Sequence, residues 1–113
     1  MSRAAGASAE ALASQYLVHK GFRVLDRNFT VKGGEIDLVC DDAGTLVFVE
    51  VRSRKGSRYG TPAETISATK RRRIILAARL YLLMRKIEDR ACRFDVIAVE
   101  GGEITHLSDA FQA

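Results

Sequence analysis

The chain has 113 residues, of which 47% are hydrophobic and 28% are charged, so it suits one compact domain with a single core and excludes a disordered or fibrous protein. Its 18 Lys and Arg residues against 14 Asp and Glu give a net charge of +4, which favours a polyanionic partner. From the length we expect a single domain over residues 1–113. Because the two cysteines lack CxxC spacing and no stretch of roughly 20 apolar residues is present, we expect this domain in the cytoplasm.

The first half of the chain predicts one helix and three consecutive strands. Apolar residues recur at helical spacing over residues 8–20, and Gly21 follows as a C-terminal stop. Glu10 lies at the edge of that apolar face. Segments 22–26, 34–41 and 45–53 are rich in β-branched or aromatic residues and are separated by Gly, Asn and Asp, which is typical of strands.

The second half predicts a long helix from about Ala68 to Ile87. Residues 61–64 (TPAE) match a capping box with Pro at the first helical position, and Ser67 offers a second N-cap. We expect a stripe of larger apolar residues to pack on the sheet: Leu76, Leu80, Leu83 and Ile87. On the same helix, Arg72, Arg79 and Lys86 are expected to face outward.

Two strands follow that helix. Residues 92–100 (CRFDVIAVE) form the near-continuous apolar run that is typical of a strand covered on both faces. Gly101 and Gly102 then turn the chain into a short final strand, residues 103–107. The predicted order is αβββαββ, and both Cys40 and Cys92 are expected to be small core residues.

Two acidic residues are predicted to stand side by side on the second and third strands. With a two-residue loop at Ala43-Gly44, position 37 pairs with position 50 and Asp37 stands across from Glu50. A four-residue loop would make them diagonal neighbours on one face. Strict alternation would also place Ile36, Leu38 and Cys40 together on the opposite face.

Opposed carboxylates repel each other, so a local cation is expected between Asp37 and Glu50. Mg²⁺ or Mn²⁺ suits carboxylate oxygens. The alternative is that both acids are ordinary solvent-facing residues, or are neutralised by Arg52 in a surface ion network.

Several motifs together resemble the YraN family of small bacterial proteins. They are AEALASQYLVHKGFRVLDRNF, GGEIDLV, FVEVRSR, YGTPAETISATKRRR and CRFDVIAVE. The resemblance covers nearly the whole chain. It implies an α/β protein of the restriction-endonuclease-like, PD-(D/E)xK class, with an αβββαβ core and a mixed central sheet flanked by helices, related to Holliday-junction resolvases.

The resemblance also implies a site. Asp37 and Glu50 would be the metal-binding acids, Glu10 would complete the site, and the Val51 carbonyl would add a further ligand. Arg52 occupies the place of the signature lysine. Because Arg stays protonated, it is not a general base, but it can hold a phosphate or stabilise developing negative charge.

The function that this resemblance implies is a Mg²⁺- or Mn²⁺-dependent endonuclease that hydrolyses phosphodiester bonds in DNA, including branched DNA. The catalytic residues would be Asp37, Glu50 and Arg52. Basic residues in two runs would bind the nucleic acid: Arg54, Lys55, Arg58, Lys70, Arg71 and Arg72. The alternatives are a nucleic-acid-binding module whose catalysis has lapsed and a protein-interaction domain. A homodimer is also expected.

Overall fold

The computed structural model describes residues 4–53 and 66–113 of the chain. Their elements follow the predicted order αβββαββ. The bounds are α1 Ala4–His19, β1 Arg23–Val31, β2 Gly34–Asp42, β3 Thr45–Ser53, α2 Ala68–Met84, β4 Cys92–Glu100 and β5 Glu103–Phe111. The predicted capping box at residues 61–64 lies outside the described residues.

The five strands form one mixed sheet in the order β1-β2-β3-β4-β5. β3 and β4 are parallel, while every other neighbouring pair is antiparallel. A parallel pair needs a crossover connection, and α2 lies in the connection between β3 and β4. The result is an α/β fold with a mixed five-stranded sheet, as predicted at that level.

Each face of the sheet packs against one helix. On one face, Ala9, Ala13 and Leu17 of α1 lie in a cluster with strand residues such as Val47 and Val49. The other face packs the α2 residues Ile74, Ala77, Ala78 and Tyr81 against strand residues that include Phe48, Phe94 and Val96. Central strands covered on both sides account for the near-continuous apolar runs in β3 and β4.

The turn signals at the end of α1 function as predicted. Gly21 has a φ of +101°, and the Phe22 N–H donates to the Leu17 carbonyl at 2.9 Å. The Gly21 N–H donates to the Val18 carbonyl at 3.0 Å, so the helix ends in a Schellman motif with glycine at its left-handed position.

Two strands are longer than predicted. β1 continues to Val31, although Asn28 has a φ of +52°, a left-handed conformation that Asn tolerates. The register with β2 is the same at Arg27 and at Phe29, on either side of Asn28. β5 continues to Phe111, although Asp109 also has a positive φ of +55°. Residues that usually mark turns therefore lie inside both strands.

The apolar face predicted for α2 is wrong for its leucines, although Ile87, which lies beyond the helix end at Met84, is partly buried against the core. Leu76 and Leu83 are exposed and Leu80 is half-buried, whereas the buried residues are Ile74, Ala77, Ala78 and Tyr81. The small alanines allow the helix backbone to approach the sheet, which larger leucines would prevent. Arg72, Arg79 and Lys86 are exposed, as expected.

The predicted N-cap at Ser67 and the predicted burial of Cys40 are confirmed, whereas the predicted burial of Cys92 is wrong. Ser67 is the N-cap of α2, and its hydroxyl accepts a hydrogen bond from the Lys70 N–H at 3.0 Å. Cys40 is buried, but Cys92 is exposed because it begins β4 at the rim of the sheet, so its core placement was wrong. In the described ranges, neither helix is long and apolar enough to cross a membrane.

Gly34 sets the distance between α2 and the sheet. A Cβ built on Gly34 would lie 2.2 Å from the Arg73 carbonyl oxygen and 3.3 Å from the Ala77 Cβ. No side chain fits in that space, so the backbone of β2 meets the backbone of α2 directly.

We expect Gly34→Ala to lower the free energy of unfolding by about 3 kcal/mol or more, because α2 must move away from the sheet. Gly101→Ala is the matched control. A Cβ there meets nothing within 4 Å, so only its left-handed φ of +57° costs free energy, about 1 kcal/mol. Chemical denaturation of both variants measures this, and equal losses would contradict the close contact.

Candidate functional site

The β2–β3 hairpin has the two-residue loop that the sequence allowed. Asp42 pairs with Thr45 and Leu38 pairs with Val49, while Ala43 and Gly44 both have positive φ values, +50° and +97°. Two positive φ values are characteristic of a type I′ turn. The four-residue loop is therefore wrong, and continuing the register places Asp37 across from Glu50.

Asp37 lies where β2 leaves β3. The pairing between these strands ends at Leu38 and Val49, and the Val51 N–H then donates to Asp37 Oδ2 at 2.8 Å. The predicted alternation of β2 is wrong at this point, because Ile36 packs on the α2 side while Leu38 and Cys40 pack on the α1 side. The Asp37 carboxylate thus makes a hydrogen bond between β2 and β3 at a point where their backbone pairing has already ended.

Glu50 is a buried carboxyl on the α2 side of the sheet, with only 5% of its surface exposed. Burial, followed by repulsion from Asp37, raises the pKa of Glu50 to about 7, and the two carboxyl groups are hydrogen-bonded. Lys70 opposes this shift, since its Nζ lies 3.4 Å from Glu50 Oε2. The pair therefore tends to retain a proton where two separate acids would lose both.

Glu10 lies near this pair without joining it. Partial burial, and then repulsion from Asp37, raise the pKa of Glu10, and a hydrogen bond with Asn28 opposes the shift. Across residues 4–53 and 66–113, no three His, Cys, Asp or Glu side chains form a ready-made metal cluster. The metal-binding role of Glu10 stays a prediction.

The basic residues have different environments. Arg52 is half-buried on the strand that carries Glu50, and its Nε is buried without a hydrogen-bond partner among the described residues. Arg71 donates through Nε to the Ile66 carbonyl at 3.1 Å and stacks over the Phe111 ring, whereas Arg72 is exposed. Arg54, Lys55 and Arg58 lie outside the described residues.

A second buried carboxylate was not assigned a site by the sequence. Asp95 faces the α1 side, is fully buried, and accepts hydrogen bonds from Arg93 Nε and the Asp109 N–H, both at 2.9 Å. His106 Nε2 lies 2.7 Å from Asp95 Oδ2. Burial opposes ionisation, but His106 and Arg93 outweigh it and hold the pKa of Asp95 below its ordinary value. This carboxylate is fully satisfied and has a structural role.

The donor chemistry at Asp37 and Glu50 fits a hard divalent cation. Mg²⁺ is commonly bound through one or two carboxylates, with water and phosphate oxygens completing its shell, so two acids are sufficient. Burial, and then repulsion from Asp37, raise the pKa of Glu50, and Lys70 opposes this shift only in part, so a further positive charge beside the pair would be stabilised. Asp37, Glu50 and the Val51 carbonyl are the groups that would hold such an ion.

Comparison with known proteins identifies relatives over most of the chain. The model of the Uncharacterised protein family UPF0102 matches residues 9–99. A UPF0102 protein of Symbiobacterium thermophilum is 48% identical over 102 residues, covering 90% of this chain and 86% of the relative. One from Burkholderia pseudomallei is 51% identical over 112 residues, covering 98% and 77%. A third, from Persephonella marina, is 44% identical over 106 residues, covering 94% and 91%.

The raised pKa of Glu50 makes stability depend on pH. In the unfolded chain this carboxyl ionises near 4.5, whereas in the folded protein it keeps its proton to about 7. We therefore expect the free energy of unfolding to fall as pH rises between these values, by roughly 3 kcal/mol at most from this group. Denaturant titrations from pH 4 to pH 8 without metal measure the decline.

Glu50→Gln should remove this decline, because glutamine has no proton to lose. Glu103→Gln, on the exposed part of β5, is the matched control and should keep it. Parallel pH profiles for wild type and Glu50→Gln would contradict the assignment of the buried proton to this pair.

Proposed function

The chain belongs to the UPF0102 family, the family indicated by the YraN resemblance, and we propose that it is a metal-dependent endonuclease acting on DNA in the cytoplasm. We assign it the restriction-endonuclease-like fold of the PD-(D/E)xK class. The observation that carries the proposal is the Asp37 and Glu50 pair at the point where β2 and β3 separate, with Lys70 beside it.

The arrangement of elements supports this fold assignment. The αβββαβ core that the resemblance implies has the same order as α1 to β4, and β5 is an addition at the sheet edge. The acids lie on neighbouring central strands, and Arg52 follows Glu50 by two residues on β3. Asp37 and Glu50 thus stand where the resemblance places the two acids of the PD-(D/E)xK signature, and Arg52 stands in the place of its lysine.

The chain's own groups can perform most of the work of phosphodiester hydrolysis. Asp37 is oriented by the Val51 N–H, and Glu50 by its buried position, so both acids are held before any ligand arrives. Bound between them, Mg²⁺ or Mn²⁺ would supply Lewis acidity and lower the pKa of a coordinated water. Lys70 and Arg52 would place positive charge beside the scissile phosphate and stabilise charge that develops on it.

Arg52 favours a second candidate function, a nucleic-acid-binding module without catalysis. An arginine in the place of the signature lysine stays charged, so it contributes phosphate binding but no proton transfer. In that case Lys70, Arg71, Arg72, Arg54, Lys55 and Arg58 would still provide a basic surface for DNA, including branched DNA.

The first test is metal binding. By calorimetry with Mn²⁺, wild type should bind and both Asp37→Asn and Glu50→Gln should bind at least about tenfold more weakly, because each loses an anionic ligand. Mn²⁺- or Mg²⁺-dependent cleavage of branched, duplex and single-stranded DNA should be lost in parallel. Glu103→Gln should match wild type in both assays.

Two outcomes separate the candidates. Metal binding without cleavage, together with retained DNA binding, would favour the lapsed module. Equal Mn²⁺ binding by wild type and Glu50→Gln would overturn the metal site itself.

The second test is the electrostatic contribution of Lys70 to DNA binding. Lys70→Gln should weaken binding and reduce the dependence of log affinity on log salt by about one, because one phosphate contact is lost. Lys86→Gln makes the same change near the other end of α2 and should leave the slope unchanged. Fluorescence anisotropy from about 50 to 200 mM salt measures both, and identical slopes for the two variants would contradict the proposed role of Lys70.

A further inference from the structure

Asn28 lies inside β1 at a point where the side chains of the strand change from one face of the sheet to the other. Two residues before it, Asp26 accepts a hydrogen bond from the Tyr81 hydroxyl of α2. Phe29 also lies on the α2 side, in edge-on contact with the same ring. Residues three apart in a regular strand lie on opposite faces, so the alternation is interrupted between Asp26 and Phe29. The left-handed φ of +52° at Asn28 falls within this interval.

β2 changes face at the same level of the sheet. Ile36 packs on the α2 side and Leu38 on the α1 side, although residues two apart in a regular strand share a face. The residue before Asn28 pairs with Leu38, and the residue after it pairs with Ile36. Asn28 therefore lies directly across from Asp37, and the two strands switch faces together at the position that these two residues share.

This switch of faces allows one carboxylate to lie close to acids from both sides of the sheet. Glu50 lies on the α2 side, where it meets Lys70, whereas Glu10 belongs to α1 on the opposite side. Asp37 is hydrogen-bonded to Glu50 and also repels Glu10, so it is near both. A side chain in a regular strand points to one face only. Asp37 reaches both acids because it stands where β1 and β2 change face.

The side chain of Asn28 contacts one of these acids directly. Its amide donates a hydrogen bond to the Glu10 carboxylate, and this bond opposes the repulsion that Glu10 receives from Asp37 and Glu35. Asparagine can serve both purposes, because it tolerates the left-handed region and also carries an amide donor. Glycine would keep only the backbone conformation.

We propose that Asn28 is a positioning residue of the candidate metal site, which sets the change of face at Asp37 and holds the Glu10 carboxylate toward a cation bound there. Asn28 acts through Glu10 and is not itself a ligand. The inference rests on the proposed function, because the bound cation is what gives the position of Glu10 its purpose.

Glycine at this position separates the backbone of Asn28 from its side chain. Asn28→Gly keeps the left-handed conformation without steric cost and removes the amide, so the variant should fold, which circular dichroism checks. Its affinity for Mn²⁺, measured by calorimetry on the full chain, should be about tenfold weaker than that of wild type, because a residue that orients a metal ligand is lost. Failure to fold would overturn the inference, since glycine adopts this conformation more readily than asparagine.

Asp109→Gly is the matched control for this change. Asp109 is also an exposed residue with a left-handed φ, +55°, inside an edge strand of the same sheet. The variant should bind Mn²⁺ like wild type, and an equal loss of affinity in both glycine variants would contradict a specific role for Asn28.

A double-mutant cycle shows whether Asn28 acts through Glu10. Glu10→Gln should also weaken Mn²⁺ binding. Adding Asn28→Gly to it should cause little further loss, because the carboxylate that the amide holds is already absent. Two losses of binding free energy that add in full would show a purely structural role for Asn28 and would overturn the inference.

Glu50→Gln separates this inference from the function on which it rests. If Asn28→Gly or Glu10→Gln binds Mn²⁺ like wild type while Glu50→Gln does not, Asn28 is not a positioning residue and the proposed metal site stands. If Glu50→Gln also binds Mn²⁺ like wild type, the proposed function is wrong and the inference fails with it.

Discussion

The hydrogen bond from the Val51 N–H to the Asp37 carboxylate is the interaction on which the site depends. It forms where β2 leaves β3, so it replaces ordinary strand pairing with a side-chain contact. Because Asp37 is held there, its carboxyl stays against Glu50 despite the repulsion between them. Gly34 also contributes to this geometry, because it lets α2 approach the sheet closely and so brings Lys70 to Glu50.

Two buried carboxylates show why burial alone does not identify a site. Asp95 and Glu50 lie on opposite faces of the sheet, and both are nearly inaccessible to solvent. Asp95 has enough donors to hold its pKa down, whereas burial, and then repulsion from Asp37, raise the pKa of Glu50. The first has its charge balanced within the fold. The second is balanced only in part by Lys70, and a bound cation would complete the balance.

Much of this arrangement could be predicted from the chain. The sequence allowed a two-residue and a four-residue loop, and either one kept Asp37 and Glu50 on the same face. The structure has the two-residue loop, Ala43-Gly44. The predictions failed where tertiary contacts override local signals. Asn28 resembles a turn residue, yet pairing on both sides keeps it within β1. Ile36 departs from strict alternation just beyond the last residue of β2 that pairs with β3, which no pattern within the strand records.

The error in α2 has a more general cause. Helical periodicity identifies apolar faces but does not say which one meets the sheet, and the larger leucines marked the wrong face. Close packing of α2 on Gly34 requires small residues, so Ala77 and Ala78 lie inward and the leucines lie outward. The same approach places Lys70, which is 20 residues from Glu50 in sequence, beside its carboxylate. The positive charge near Glu50 thus comes from Lys70 of α2 as well as from Arg52 of β3. The contribution of Lys70 depends on how closely the helix packs on the sheet, which the sequence does not state.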